Sequence, residues 1–228
     1  MYFSFPDHPY IAIIGDIQDS KKIENRDKIQ KLLNGILTEI NQKYLNNISS
    51  KFLITLGDEF QGLLCNGENV MQIISEIKNK MFPVKIRFGI GVGDITTNIN
   101  SEMSIGADGP GYYNARNAIE CIKNDKKKKQ TNAANIRIEL DVDNQAPATM
   151  LNTILSLMTA IENTWSIRQR EIIGDMLMHN GNQMDTAKRL KIKQPTVQRT
   201  LAKGNYYPYK DALDTIEKIL GEIRRDDV

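Results

Sequence analysis

The chain begins its first regular element with an unbroken apolar run, Tyr10-Ile11-Ala12-Ile13-Ile14, stopped by Gly15-Asp16. A short β-branched run ended by glycine predicts a buried strand over residues 10–17. Between 24 and 44 the apolar positions Ile29, Leu32, Leu33, Ile36, Leu37 and Ile40 recur every three or four residues, which is one face of a helix. Two further apolar stretches, 51–56 and 60–65, flank Gly57-Asp58. Glycine at the first position of a two-residue connection marks a tight hairpin. Residues 70–81 return to helical spacing with Ile73, Ile74 and Ile77 aligned, and 84–92 alternate strictly through Val84, Ile86, Phe88, Ile90 and Val92. A glycine-rich loop at 106–111, a helix at 112–122 and a short strand at 136–140 follow. From Pro147 the pattern is helical only: a stripe of Leu151, Ile154, Leu155, Met158, Ile161 and Trp165, a helix at 169–178, a break at Asn180-Gly181-Asn182, a bihelical stretch to Leu201, and a last helix over 209–223.

This order predicts an α+β protein: a ferredoxin-like, palm-type βαββαβ domain over 1–145, a connector helix over 146–166, and an all-α helix-turn-helix domain over 167–228. A right-handed crossover makes the first two strands parallel, and the third, antiparallel to both, fits between them. The end of the first strand and the hairpin tip then share one edge of the sheet. Asp16 and Asp58 therefore converge, although about 40 residues separate them. Two carboxylates so placed can share a metal ion; the bland alternative is that they only cap turns.

Composition changes this picture locally. The net charge of +2 marks no strongly basic surface overall, yet residues 166–204 carry eight Lys and Arg against three acids. Such a segment suits phosphate contact. Lys126, Lys127, Lys128 and Lys129 read as a solvated loop, with nucleic-acid contact as the sharper alternative. Cys65 and Cys121 sit in apolar patterns and read as small buried side chains in a reducing compartment. His8 and His179 lack metal-spaced partners, which argues against zinc. With no leader-like start and no apolar stretch of the roughly 20 residues a spanning helix needs, a soluble, cytoplasmic protein with no membrane partner is expected.

The segment from Met184 to Leu201 has helix-turn-helix spacing: Ala187 is small enough for two helices to cross closely, and Leu190, Ile192, Val197 and Leu201 supply a core. It resembles the tail of bacterial sigma factors, with Thr196-Val197-Gln198-Arg199 on the recognition helix, and departs from them at Lys191, where many such motifs place glycine. Pro195 fits a first helical turn. Gln194, Thr196, Gln198 and Arg199 would face the major groove of double-stranded DNA, where Gln and Arg can read base edges bidentately. Lys188, Arg189, Lys193 and Lys203 would meet phosphates.

The first half resembles class III nucleotidyl cyclases and diguanylate cyclases, in which an acid ending the first strand and one on the hairpin hold two metal ions. The resemblance implies Asp16, the Ile17 carbonyl and Asp58 as ligands of Mg²⁺; Asp19 and Ser20 are candidate nucleotide or phosphate contacts beside them, and Arg116 is a candidate phosphate contact outside the role the cyclases would give it. The match is incomplete. Ile54 stands where those enzymes carry a base-reading lysine, Gly106 where they carry a base-reading Asp, and Tyr113 and Asn117 where they carry transition-state Asn and Arg. Across the whole chain, Gly15-Asp16-Ile17-Gln18-Asp19-Ser20, Gly57-Asp58-Glu59-Phe60-Gln61, Arg87-Phe88-Gly89-Ile90-Gly91 and Gly106-Ala107-Asp108-Gly109-Pro110 with Ala115-Arg116 resemble the SatD family of small bacterial proteins. The expected function is a DNA-binding transcriptional regulator, a homodimer on its operator, whose degenerate palm senses a metal or nucleotide or only dimerises. The alternatives are an active metal-dependent nucleotidyl cyclase or nucleotidyltransferase acting on a nucleoside triphosphate, and a purely structural palm.

Overall fold

The structure, a computed structural model, describes residues 3, 5, 9–127, 134–179 and 182–224. It is a mixed α+β fold with one five-stranded mixed sheet and eight α-helices among those residues. The chain runs β1 (Tyr10–Ile17), α1 (Arg26–Lys43), β2 (Ile48–Leu56), β3 (Glu59–Leu64), α2 (Val70–Met81), β4 (Ile86–Gly93), α3 (Pro110–Lys127), β5 (Ile136–Glu139) and α4 (Gln145–Asn163). Four helices complete it: α5 (Ile167–His179), α6 (Gln183–Arg189), α7 (Gln194–Lys203) and α8 (Tyr206–Leu220).

The strand order is β2-β3-β1-β4-β5, with β1 antiparallel to β3 and β4, and β4 parallel to β5. β1 is thus central, which is why its apolar run is unbroken: both of its faces are covered. On one face Ile11, Ile13, Phe60, Phe88 and Ile90 pack with α1, α2, α4 and α8 in a single cluster. On the other, Ala12, Ile14 and Leu63 meet Tyr112, Ala115 and Ile119 of α3. The glycines of β4 set how closely α3 lies. A Cβ at Gly89 would sit 2.2 Å from the Ala115 carbonyl oxygen, and one at Gly91 would sit 2.1 Å from the Ala115 nitrogen. Helix backbone therefore rests directly on strand backbone.

The hairpin turns through Gly57 at φ +62°, a conformation glycine adopts without strain. β3 lies between β1 and β2, so the hairpin tip reaches the end of β1, where Ile17 donates its amide to the Asp58 carbonyl at 3.0 Å.

Several element boundaries differ from the sequence reading. α3 continues through Lys127, because the stripe Tyr112, Ala115 and Ile119 persists to Ile122 against the sheet. Lys126 and Lys127 thus close a helix, while Lys128 and Lys129 lie outside the described residues, as do His8, Asn180 and Gly181. α8 starts at Tyr206, three residues before the expected 209, and Tyr206 is buried among Ile172, Ile173 and Leu201. Cys65 and Cys121 are half-buried and not fully buried, since each sits at the margin of its apolar face; neither forms a disulfide.

The last helix serves the sheet as well as its neighbours. Tyr209, Leu213, Ile216 and Leu220 are buried in the cluster that covers the sheet. Glu217 of α8 accepts the Met71 amide at 2.7 Å in the first turn of α2. Burial pushes its carboxyl up to about 7, partly opposed by those amides. No helix among the described residues is long and apolar enough to cross a membrane.

Candidate functional site

Two places gather the residues singled out by sequence. The first is the end of β1. Asp16 pairs across the sheet with Glu59 on one side and Arg87 on the other, and its side chain points to the α3 face, as Ala12 and Ile14 do. It is 7% exposed. Its Oδ2 accepts from Arg87 Nη1 at 2.6 Å, and its Oδ1 lies 3.2 Å from Lys123 Nζ on α3. Asp58, at the hairpin tip, accepts a short hydrogen bond from the Ser20 hydroxyl. Asp19 stands beside it at φ +54°, with Lys22 Nζ 3.4 Å from its carboxylate.

Connectivity therefore brings Asp16, Ile17, Ser20 and Asp58 to one edge, but the donor set does not suit Mg²⁺ as it stands. A divalent cation would have to displace two side-chain cations from Asp16, and among the described residues no cluster of three or more His, Cys, Asp or Glu forms. Arg116 is exposed on α3, two turns before Lys123, about 10 Å along the helix axis. Asp16 is matched by Arg87 and Lys123 in its place.

The second place is the three-helix unit α5–α7. It has its own core of Ile172, Ile173, Met176, Ala187, Val197, Leu201 and Tyr206. Trp165 packs against both this core and the main one, and its indole donates to the Gly204 carbonyl at 2.7 Å. α6 starts at Asn182, whose side chain accepts from the Asp185 amide at 3.0 Å, a standard N-cap. The chain then reverses through Lys191 at φ +52°, and the Ile192 amide donates to the Ala187 carbonyl at 2.9 Å. The turn therefore takes the left-handed conformation that glycine favours, with a lysine in it. Pro195 lies in the first turn of α7.

The eight DNA-contact candidates divide. Gln198, Arg199, Lys188, Lys193 and Lys203 are exposed, and Thr196 is half-buried. Arg199 Nε donates to the Pro195 carbonyl at 3.2 Å within its own helix. Gln194 is tied to Gln183 at 2.6 Å. Arg189 is held by Asp175 through Nη2 at 2.7 Å and Nε at 3.0 Å, and Thr186 donates to the same carboxylate at 2.7 Å. Burial would raise the Asp175 carboxyl, but these bonds outweigh it and hold it below the usual carboxylate range.

The sequence model of the SatD family matches residues 10–204, from the start of β1 to the end of α7. The chain belongs to the SatD family. The match takes in both places just described and stops before α8. No curated protein matched the chain.

The sequence motifs include Arg87 without giving it a role, and Lys123 and Asp175 are in none of them. Arg87 had a signal, since it occupies the off-phase position of the alternating strand, opposite Phe88, on the face where Asp16 lies. Lys123 and Asp175 had none, because each acts across a packing contact that no local pattern records.

Proposed function

We propose that this SatD-family protein binds double-stranded DNA through α7, as a helix-turn-helix module, and acts as a transcriptional regulator. The reading rests on one observation: α7 buries Val197 and Leu201 in a core separate from the sheet, and turns Gln198 and Arg199 outward beside exposed Lys193 and Lys203. A helix presenting Gln and Arg between lysines has the chemistry for base edges flanked by phosphates. The tight α6–α7 reversal at Lys191 supports it. In this reading Arg189 acts through Asp175, fixing α5 against α6, and not on phosphate. The five-stranded part is read as a ferredoxin-like palm; its order of β2-β3-β1-β4 supports that, and the palm's role is to carry the reader and pair copies on a two-fold site.

The test is selection of a DNA site from a random library, followed by binding isotherms. Arg199→Ala and Gln198→Ala should each weaken the selected site by about 5- to 150-fold, the range of one bidentate base contact. Unchanged affinity in both variants would remove α7 as the reader.

The competing reading is a metal-dependent nucleotidyl cyclase or nucleotidyltransferase. It is favoured by the arrival of Asp16 and Asp58 at one sheet edge, and weakened by the two cations on Asp16. A nucleotide bound at a hundredfold excess over its Kd stabilises by about 2.7 kcal/mol. ATP or GTP with Mg²⁺ should leave the unfolding midpoint unchanged; a rise abolished by Asp58→Asn would favour the enzyme.

A further inference from the structure

Between the end of α2, the strand entry at Val84–Ile86 and α5 lies a cleft of about 550 Å³. That is the size of a small-molecule site. It shares Trp165, Asp175, Leu177 and Leu190 with the three-helix unit but lies apart from the exposed face of α7 and from the β1 end, opening where the sheet-bearing part meets that unit. Its walls are apolar at Phe82, Val84, Trp165, Ile167, Leu177 and Leu190.

The charges along it are unequal. Glu171 is taken by Arg168, Asp175 by Arg189, and Lys80 by Glu39 and Glu76. Glu162, 5% exposed at the cleft floor, pairs with Lys78 Nζ at 2.6 Å and accepts from the Tyr209 hydroxyl. Burial would raise its carboxyl, yet Lys78, Tyr209 and the nearby Arg170 hold it below the usual range, so it stays an anion. That single negative charge faces two cations. Lys85, exposed at the rim, has no ion-pair partner among the described residues.

Arg170 is placed as a recognition group. Its guanidinium lies 5.7 Å from the Trp165 ring centroid and 5.8 Å from that of Phe82. One nitrogen, Nη2, donates to the Glu162 carbonyl, and the other N–H groups have no acceptor among the described residues. A guanidinium steadied by two rings presents a planar fork of donors that suits a carboxylate or sulfonate. Two surplus cations in an apolar cleft select an anion with a flat hydrocarbon body.

We propose that this cleft is a binding site for a small aromatic organic anion, whose acidic group meets Arg170 and Lys85 and whose ring lies against Phe82 and Trp165. The site does not depend on the DNA reading.

Trp165 is the single tryptophan of the chain, so one indole ¹H–¹⁵N signal reports the cleft. The full-length protein is titrated with 2-naphthoate, and in parallel with 2-naphthalenemethanol and 2-naphthylmethylammonium. The expected result is a saturable indole shift with naphthoate at or below about 1 mM. The neutral and cationic analogues should bind at least about tenfold more weakly, the size of one charge-assisted contact. Arg170→Met should weaken naphthoate by at least the same factor, and Lys85→Gln, an exposed substitution that leaves the packing intact, by a smaller but measurable one. The proposal is overturned by any of three results: no saturable shift, equal affinity for the ammonium analogue, or unchanged naphthoate affinity in Lys85→Gln together with a folded Arg170→Met.

Discussion

The β1 end and the α7 surface are both rich in charge, yet they use it in opposite ways. At β1, Asp16 is nearly buried and matched by Arg87 and Lys123, so the charges are satisfied inside the chain. On α7, Lys193, Arg199 and Lys203 face solvent with no carboxylate within ion-pair distance among the described residues. The lesson is that Asp16, one of the two acids most suggestive of chemistry in the sequence, is matched by cations inside the fold, while Asp58 at the hairpin tip is met only by the Ser20 hydroxyl. The basic stretch, less distinctive as a motif, keeps its charge available. Glu217 is a third case: a carboxylate that accepts the Met71 amide, has no ion-pair partner among the described residues, and is pushed up to about 7 by burial.

The contrast is most directly broken at Arg87. Arg87→Met should cost about 3 kcal/mol in chemical denaturation, because it leaves a buried carboxylate with only the longer Lys123 contact. A loss under about 1 kcal/mol would mean that Asp16 is hydrated and that its pairing is incidental.

Glu217 should give the next effect, about 2 kcal/mol and dependent on pH. Its folded pKa lies above the unfolded value of 4.5, so the folded state holds its proton more tightly. Its contribution to stability is complete below about 4.5 and is lost as pH rises through about 7. Glu217→Gln, which keeps an acceptor for Met71, should match the parent at pH 4.5 and exceed it at pH 8. An identical pH profile in the two proteins would place the carboxylate in contact with water.

Lys191 sharpens the α6–α7 side. Lys191→Gly should raise stability by up to about 1 kcal/mol, since glycine takes a left-handed conformation without the Cβ penalty. A loss would mean that the lysine side chain anchors the turn.

The smallest effect is expected where charge is unpaired. Lys193→Ala with Lys203→Ala should move stability by less than about 0.5 kcal/mol. The same double variant should flatten the salt dependence of DNA binding by about two, one phosphate per lysine. An unchanged salt slope would take both lysines off the DNA.

Much of this molecule was legible before its structure. The helical spacing of Ile29 to Ile40 and of Ile73 to Ile77 placed α1 and α2, and the alternation from Ile86 to Val92 placed β4. Gly57 marked the hairpin, and simple connectivity put β3 between its neighbours and so carried Asp58 to the end of β1. The candidate sites were less legible. Arg116 and Arg189 were reasonable phosphate ligands by residue type, but α3 carries the first away from Asp16 and α5 offers Asp175 to the second. The helical spacing near the end of the chain placed α8, but only packing shows that Leu213, Ile216 and Leu220 are buried in the cluster that covers the sheet.

Periodicity, turn chemistry and connectivity are local or topological properties, and the sequence alone determined them: the elements, their order, the hairpin and the bihelical spacing. Tertiary structure alone decided which charges cancel, which helix covers which face of the sheet, and that a cleft with surplus positive charge lies between α2 and α5. The physical reason is range. A period of 2 or 3.6 is written in adjacent residues, whereas an ion pair such as Arg87–Asp16, or a cleft joining Phe82 to Arg170, depends on distances that exist only once distant elements have packed.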